Sequence, residues 1–286
     1  MSRKRFMKSL AIAAASAAML LPAARAADAG VLYAVSGAGN AASSLYTVNT
    51  TTGAATLIGA TGFSHVTGLD FNPLTGVLYG HVSDYFNGTT QLITIDTSTG
   101  AGTSIGTTGQ QIPDMSFASD GTLYAWSEYS DAGSQDRLYT IDLGTAAATA
   151  VGPSPTSTLR TGLAFDGADT LFLKDADLIA TLDPLTGALT SSFAPITGSG
   201  GLDNTLEFAG SILYSIDRTG GDSLLYTIDL SGGAATLVGA LGVSNISALA
   251  YLSDAPSVPE PASLLLLGLG LAAVGLYRWR RGSRRG

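Results

Sequence analysis

Between Leu45 and Gly239 the chain repeats itself. "LYTVNTTTGAATLIG" begins at Leu45, "LITIDTSTGAGTSIG" at Leu92, "LYTIDLGTAAATAVG" at Leu138, "LIATLDPLTGALTSS" at Leu178 and "LYTIDLSGGAATLVG" at Leu225. The steps are 47, 46, 40 and 47 residues. A unit of this length is one supersecondary element that cannot bury its own faces, so neighbouring units must stack to share a core. Missing this period would misassign the whole fold.

Each unit also carries a second pair of runs: "TGLDFNPLTGVLYGHV" from Thr67, "PDMSFASDGTLYAWS" from Pro113, "TGLAFDGADTLFLKD" from Thr161 and "NTLEFAGSILYSID" from Asn204. Apolar and polar residues alternate, and Gly, Asn and Asp bound the runs, as in short antiparallel strands joined by hairpins. No part of the body has a sustained helical period. Four strands per unit make a β-propeller blade. "GVLYAVS" (Gly30 to Ser36) matches a second strand lacking a first, and "ISALAYLS" (Ile246 to Ser253) a first strand with nothing after it. Together they complete one blade, so the expectation is an all-β, five-bladed propeller with four-stranded blades over residues 27–253, closed by N- and C-terminal strands in one sheet.

The pattern of an inner strand ending in Phe, a turn, and a Leu-Tyr strand resembles the NHL and YVTN-type propeller repeats. That resemblance implies fold rather than activity, because propellers host binding, scaffolding and enzymatic roles alike.

The ends read as addresses. "MSRKRFMK", "SLAIAAASAAMLL" and "PAARAADA" supply the basic, apolar and small-residue parts of a secretory signal peptide over 1–26. Ala24 and Ala26 take the −3 and −1 positions, and the mature chain would begin at Ala27. Residues 254–261 form a linker, and Ala262 to Tyr277 is an apolar run of 16 residues, near the lower limit for a membrane-spanning helix. Arg278, Arg280, Arg281, Arg284 and Arg285 behind it favour a cytoplasmic C-terminus. Val258-Pro259-Glu260-Pro261, the Leu/Gly/Ala run and the Arg cluster resemble a PEP-CTERM sorting signal, the tail spanning 262–286. The resemblance implies passage through the Sec translocon, signal peptidase, transient anchoring in the inner membrane of a Gram-negative bacterium, recognition by an exosortase, and delivery to the cell surface or the exopolysaccharide matrix.

Between the two ends only Arg137, Arg160, Lys174 and Arg218 are basic, against all 22 acidic residues, for a net charge of −18. Such a body repels phosphate backbones, so no nucleic-acid partner is expected. Cysteine is absent, which removes disulfides and thiolate metal sites.

Little in the body reads as catalytic. Asn49, Asp96, Asp142, Asp183 and Asp229 recur at the end of each third strand, with Gly four residues on in every unit except the third. That pattern fits an Asx turn better than a ring of ligands. "GDSL" at Gly221 to Leu224 lacks the later histidine a hydrolase of that kind needs, since His65 and His81 both precede Ser223. The two histidines read as loop and strand residues. Candidate ligand-binding residues are Tyr85, Phe86, Trp126 and Tyr129, placed outside the strand pattern in two longer polar loops, where aromatics stack on sugar rings. No organic cofactor and no resident metal are expected; Ca²⁺ is the ion that loop carboxylates would hold. The leading expectation is a non-enzymatic propeller that binds exopolysaccharide or serves a structural role in the matrix. The alternative is a glycosidase or lyase using funnel carboxylates, Asp70 and Glu207 first and Asp114 and Asp166 beside them, because sugar hydrolysis uses paired carboxyl groups.

Overall fold

The computed structural model describes residues 30–37, 42–84, 89–127, 136–152, 158, 161–192, 194–199, 201–203, 205–218 and 220–253. The signal peptide, the linker and tail from residue 254, and Tyr85, Phe86 and Tyr129 lie outside them. Among the described residues there are twenty strands and no helix, grouped in five four-stranded antiparallel sheets.

The second blade runs outward through β4 (Val66–Phe71), β5 (Leu78–Asp84), β6 (Thr89–Ile95) and β7 (Gly102–Thr107). The third comprises β8 (Asp114–Phe117), β9 (Leu123–Ser127), β10 (Arg137–Ile141) and β11 (Ala148–Ala150). The fourth comprises β12 (Thr161–Phe165), β13 (Leu171–Asp175), β14 (Leu178–Leu182) and β15 (Ala194–Pro195). The fifth comprises β16 (Glu207–Ala209), β17 (Ile212–Asp217), β18 (Leu224–Asp229) and β19 (Ala234–Ala240). The first blade joins the two ends of the chain: β20 (Ile246–Leu252) is its inner strand, followed outward by β1 (Val31–Ser36), β2 (Ala42–Val48) and β3 (Ala55–Ser64). β1 pairs with β20 from Val31↔Leu252 onward, and Gly30 N–H donates to the Tyr251 hydroxyl at 3.1 Å. The expected closure is therefore the one observed.

Inner strands β20, β4, β8, β12 and β16 surround the axis. Each carries an aromatic as its last or last but one residue at what we call the upper face, where the first hairpin and the turn between third and fourth strands also lie. Phe71 pairs with Leu78, Leu78 with Ile95, and Ile95 with Gly102, which puts these turns at one end of the blade. The opposite, lower face carries the connections between second and third strands and between blades.

The core sits between blades. Five buried clusters each draw on two adjacent sheets, as in the packing of Tyr33, Val35 and Leu45 of the first blade with Leu69, Phe71 and Leu78 of the second. The repeated Tyr and Phe serve this contact. Tyr33 meets Phe71, Tyr79 meets Phe117, Tyr124 meets Phe165 and Phe172 meets Phe208, with ring centroids 5.3 to 5.4 Å apart and tilted. Edge-inclined pairs of this kind add about 1 kcal/mol each beyond their burial.

The recurring Asx residues are turn formers. Asn49 Oδ1 accepts from Thr51 and Thr52 N–H, and Asp96, Asp142, Asp183 and Asp229 accept from N–H groups of their own turns in the same way. The residue four positions on is left-handed: Gly53, Gly100, Gly187 and Gly233 have φ of 80°, 81°, 70° and 69°, and in the third unit Ala146 takes the same conformation at 64°. The strain on Ala146 is offset by its methyl group, which is fully buried in the core between the second and third blades.

The glycine that closes four of the five repeats answers to packing. A Cβ on Gly59 would fall on the Thr99 carbonyl oxygen, one on Gly106 on that of Thr145, and one on Gly239 on that of Thr52. In each case the outer strand of one blade lies against the turn of the next. Gly59→Val is expected to lower unfolding free energy by about 2 kcal/mol, as overpacking typically does; equal denaturant midpoints for variant and parent would contradict this contact.

The outer strands β3, β7 and β19 carry no charge to discourage edge pairing. Each has a β-bulge instead, where Ile58, Ile105 or Val238 drops out of register and packs into the core between blades. Bulges bend an edge away from flat pairing.

Candidate functional site at the channel mouth

The residue before each inner-strand aromatic faces the following blade. Around the ring this position holds Asp70, Ser116, Ala164, Glu207 and Ala250, so the repeat breaks its own symmetry here. Asp70 and Glu207 are nearly buried, and both line a cavity of about 250 Å³ at the upper mouth, together with Ser116 and the aromatics Phe71, Phe117, Phe165, Phe208 and Tyr251. Structure therefore brings together the two carboxylates singled out as a pair. Asp166 also lines the mouth, but its Oδ1 accepts from Ala168 and Thr170 N–H and shapes the hairpin after β12.

Each axial acceptor reaches the next blade. Asp70 accepts from Phe71 N–H at Oδ1 and from Phe117 N–H at Oδ2, both at 2.6 Å. Ser116 Oγ accepts from Phe165 N–H at 3.0 Å, and Glu207 Oε1 from Tyr251 N–H at 2.7 Å. Deeper in the channel Asp114 does more: Oδ1 accepts from Met115 N–H at 3.0 Å, while Oδ2 accepts from Leu163 N–H at 3.0 Å and Leu206 N–H at 3.1 Å. An inner strand has no partner on its axial side, so its N–H groups would otherwise be buried without acceptors. These side chains supply them.

Burial dominates the electrostatics. It raises Asp70 to about 7, against the lowering effect of the Phe117 and Phe71 N–H groups and the Ser116 hydroxyl. Glu207 is pushed well above the usual carboxylate range by burial first and then by the charges of Asp70 and Asp114. Asp114 rises for the same leading reason, with Asp70 adding to it. A carboxyl group kept neutral near pH 7 can donate a proton or a hydrogen bond. Among the described residues no three His, Cys, Asp or Glu side chains are arranged to hold a metal ion.

Lys174 was not legible as part of this region. It lies fully buried on β13 and donates to the Asp203 carbonyl at 2.5 Å, and burial lowers it to about 8 despite the nearby charges of Asp203 and Asp114. The one available signal is a lysine in the apolar strand "LFLKD". His81, on β5, is also fully buried. Its Nδ1 pairs with Ser83 Oγ at 2.9 Å and its Nε2 with Thr108 Oγ1 at 2.8 Å, and burial lowers it to about 3. His65 lies in the turn between β3 and β4 at φ 57°. Ser223 of "GDSL" is buried and accepts from Ile246 N–H at 3.1 Å, a structural hydroxyl.

Trp126 requires a correction. It belongs to β9, inside the strand pattern, is fully buried between the third and fourth blades, and donates its indole N–H to Thr158 Oγ1 at 2.9 Å. A ring held on both faces in the core cannot stack on a ligand. Alternation on β9 with Tyr124, which packs on Phe165, was the signal that placed it there.

Residues 257–281 match the family model of the PEP-CTERM protein-sorting motif. The chain is a five-bladed β-propeller that carries a PEP-CTERM sorting motif. A PEP-CTERM motif implies export, transient membrane anchoring in Gram-negative bacteria and processing by an exosortase. Among the described residues no helix is long and apolar enough to cross a membrane. No curated protein matches the chain. Among solved structures, a chain of a nidogen/laminin complex superposes with a TM-score of 0.53 at 12% identity, covering 79% of this chain and 98% of that one. TolB from Acinetobacter baumannii gives 0.49 at 14% identity, covering 79% and 67%, and a protein of unknown function from Bacteroides caccae 0.49 at 11%, covering 79% and 100%. The likeness to the nidogen/laminin chain is one of fold.

Proposed function

We propose that this PEP-CTERM propeller is a non-enzymatic binding protein of the cell surface or extracellular matrix, with a neutral polysaccharide of the envelope as its ligand. One observation carries the reading: the axial carboxylates are engaged as acceptors for N–H groups of neighbouring blades, which is a structural use. The strongly acidic body disfavours polyanionic partners and leaves neutral sugars and Ca²⁺ as the compatible chemistry. The polar segments bearing Tyr85, Phe86 and Tyr129 remain the proposed contacts.

A second reading has its own support. Asp70 and Glu207 share one cavity, and burial raises both above the usual carboxylate range, the direction a general acid for glycoside cleavage needs. Purified exopolysaccharide of the producing strain tests both readings at once. Saturable binding with no sugar release, in the parent and in the Asp70→Asn/Glu207→Gln variant, is the expected result. Sugar release that the amide variant abolishes while remaining folded would replace the binding reading with the enzymatic one.

A further inference from the structure

The chain leaves the propeller at a particular place. β20 is an inner strand that runs to the upper face, and Ser253, directly after it, lines the channel mouth. Gly30, at the other end of the described chain, is bonded to the Tyr251 hydroxyl on that same face. Only residues 254–261 separate Ser253 from the apolar run that begins at Ala262. Eight fully extended residues span about 28 Å at most.

That reach limits how the body can sit. Four strands at about 4.8 Å spacing put the rim about 14 Å from the inner strand, and a strand of six or seven residues makes the blade about 20 Å tall. A linker passing from the mouth over the rim and down to the lower face would exceed its own length. We propose that, while its tail is embedded, the propeller holds its upper face and channel mouth toward the membrane and presents its lower face outward. The upper face carries the turn carboxylates of Asp96, Asp142, Asp183 and Asp229, which anionic headgroups repel, so the body stands off the bilayer on its linker. β5 and β9 run to the lower face, so the segments carrying Tyr85, Phe86 and Tyr129 depart from the side turned away from the membrane. Cleavage within the linker would release the mouth. The inference rests on the sorting tail being membrane-embedded before processing and is independent of any glycan ligand.

The absence of cysteine makes the test direct. Leu185→Cys lies on an upper turn where the leucine is 82% exposed, and Ser244→Cys lies on an exposed lower connection. Each full-length variant is labelled with a donor dye and reconstituted into phosphatidylcholine/phosphatidylglycerol vesicles carrying a headgroup acceptor dye. Energy transfer from position 185 is expected to exceed that from 244 by about twofold, and the difference to collapse when about thirty Gly/Ser residues are inserted after Ser253. Equal or greater transfer from 244 would overturn the orientation. A difference that persists unchanged with the long linker would overturn the tether as its cause.

Discussion

Asp114→Leu is expected to lower the unfolding free energy by about 4 kcal/mol, whereas Asp114→Asn costs about 1 kcal/mol. The leucine side chain has similar volume and removes a carboxyl group whose burial is unfavourable, so a pure desolvation argument would predict stabilisation. Geometry reverses the sign. Oδ2 accepts N–H groups from β12 and from the residue preceding β16, and these are elements of two other blades. Leucine leaves both donors buried without an acceptor, at about 1 to 3 kcal/mol each, and deprives Met115 N–H as well. Asparagine can keep its carbonyl at the Oδ2 position, retaining the two inter-blade bonds. Urea unfolding of parent and both variants is the measurement. A leucine variant as stable as the parent would mean that the axial N–H groups find other partners and that Asp114 does not hold the ring together.

Between about pH 6.5 and 8 stability is expected to fall as pH rises, by about 1 kcal/mol from Asp70 and further with Glu207 and Asp114, with the transition temperature dropping several degrees. The sign follows from protons bound in each state. Asp70, raised to about 7, and Glu207 and Asp114, also raised by burial, hold protons in the folded protein that an unfolded chain has already released above pH 5. Each such group contributes a loss of about 1.4 kcal/mol per pH unit until its folded pKa is passed. The other shifted groups titrate at the edges of this window or beyond it. His81, lowered to about 3, adds an opposing slope only up to its unfolded pKa of 6.5, because above that it is neutral in both states. Lys174, lowered to about 8, favours the folded state progressively as pH rises through 8, opposing the carboxylates only at the upper edge. Exposed turn carboxylates such as Asp96, lowered to about 2, lose their contribution only in acid. Thermal unfolding at pH 6.5, 7.2 and 8 tests the slope. A transition temperature that is flat or rises across this range would show that the channel carboxylates are ionised in the folded state.

The architecture was legible because a repeat states its rule five times. Steps near 46 residues, Leu-Tyr and Phe at matching offsets, and half-blades at the two ends were enough for blade number, closure and the Asx turns, since each depends on residues near one another in sequence or on a counted period. The sorting motif was legible for the same reason: it is a linear signal. Asp70 and Glu207 were also found as a pair, because alternation within a strand places a residue opposite its aromatic neighbour.

What the tertiary structure decided lies where blades meet. Trp126 looks like a loop aromatic beside "SEYSDAG", yet one more alternation on β9 buries it between sheets. Lys174 and His81 are polar residues at inward positions, and only the folded chain brings up the Asp203 carbonyl and the Ser83 and Thr108 hydroxyl groups that make their burial tolerable. Asp114 acts on blades 49 and 92 residues further along the chain. Sequence by itself determined the repeat, its closure and the sorting address, because local periodicity and linear motifs carry them. The ring of axial acceptors, the shifted carboxylates and the face from which the tail departs were decided by assembly, because they depend on which side chains meet once five separately coded sheets share one axis.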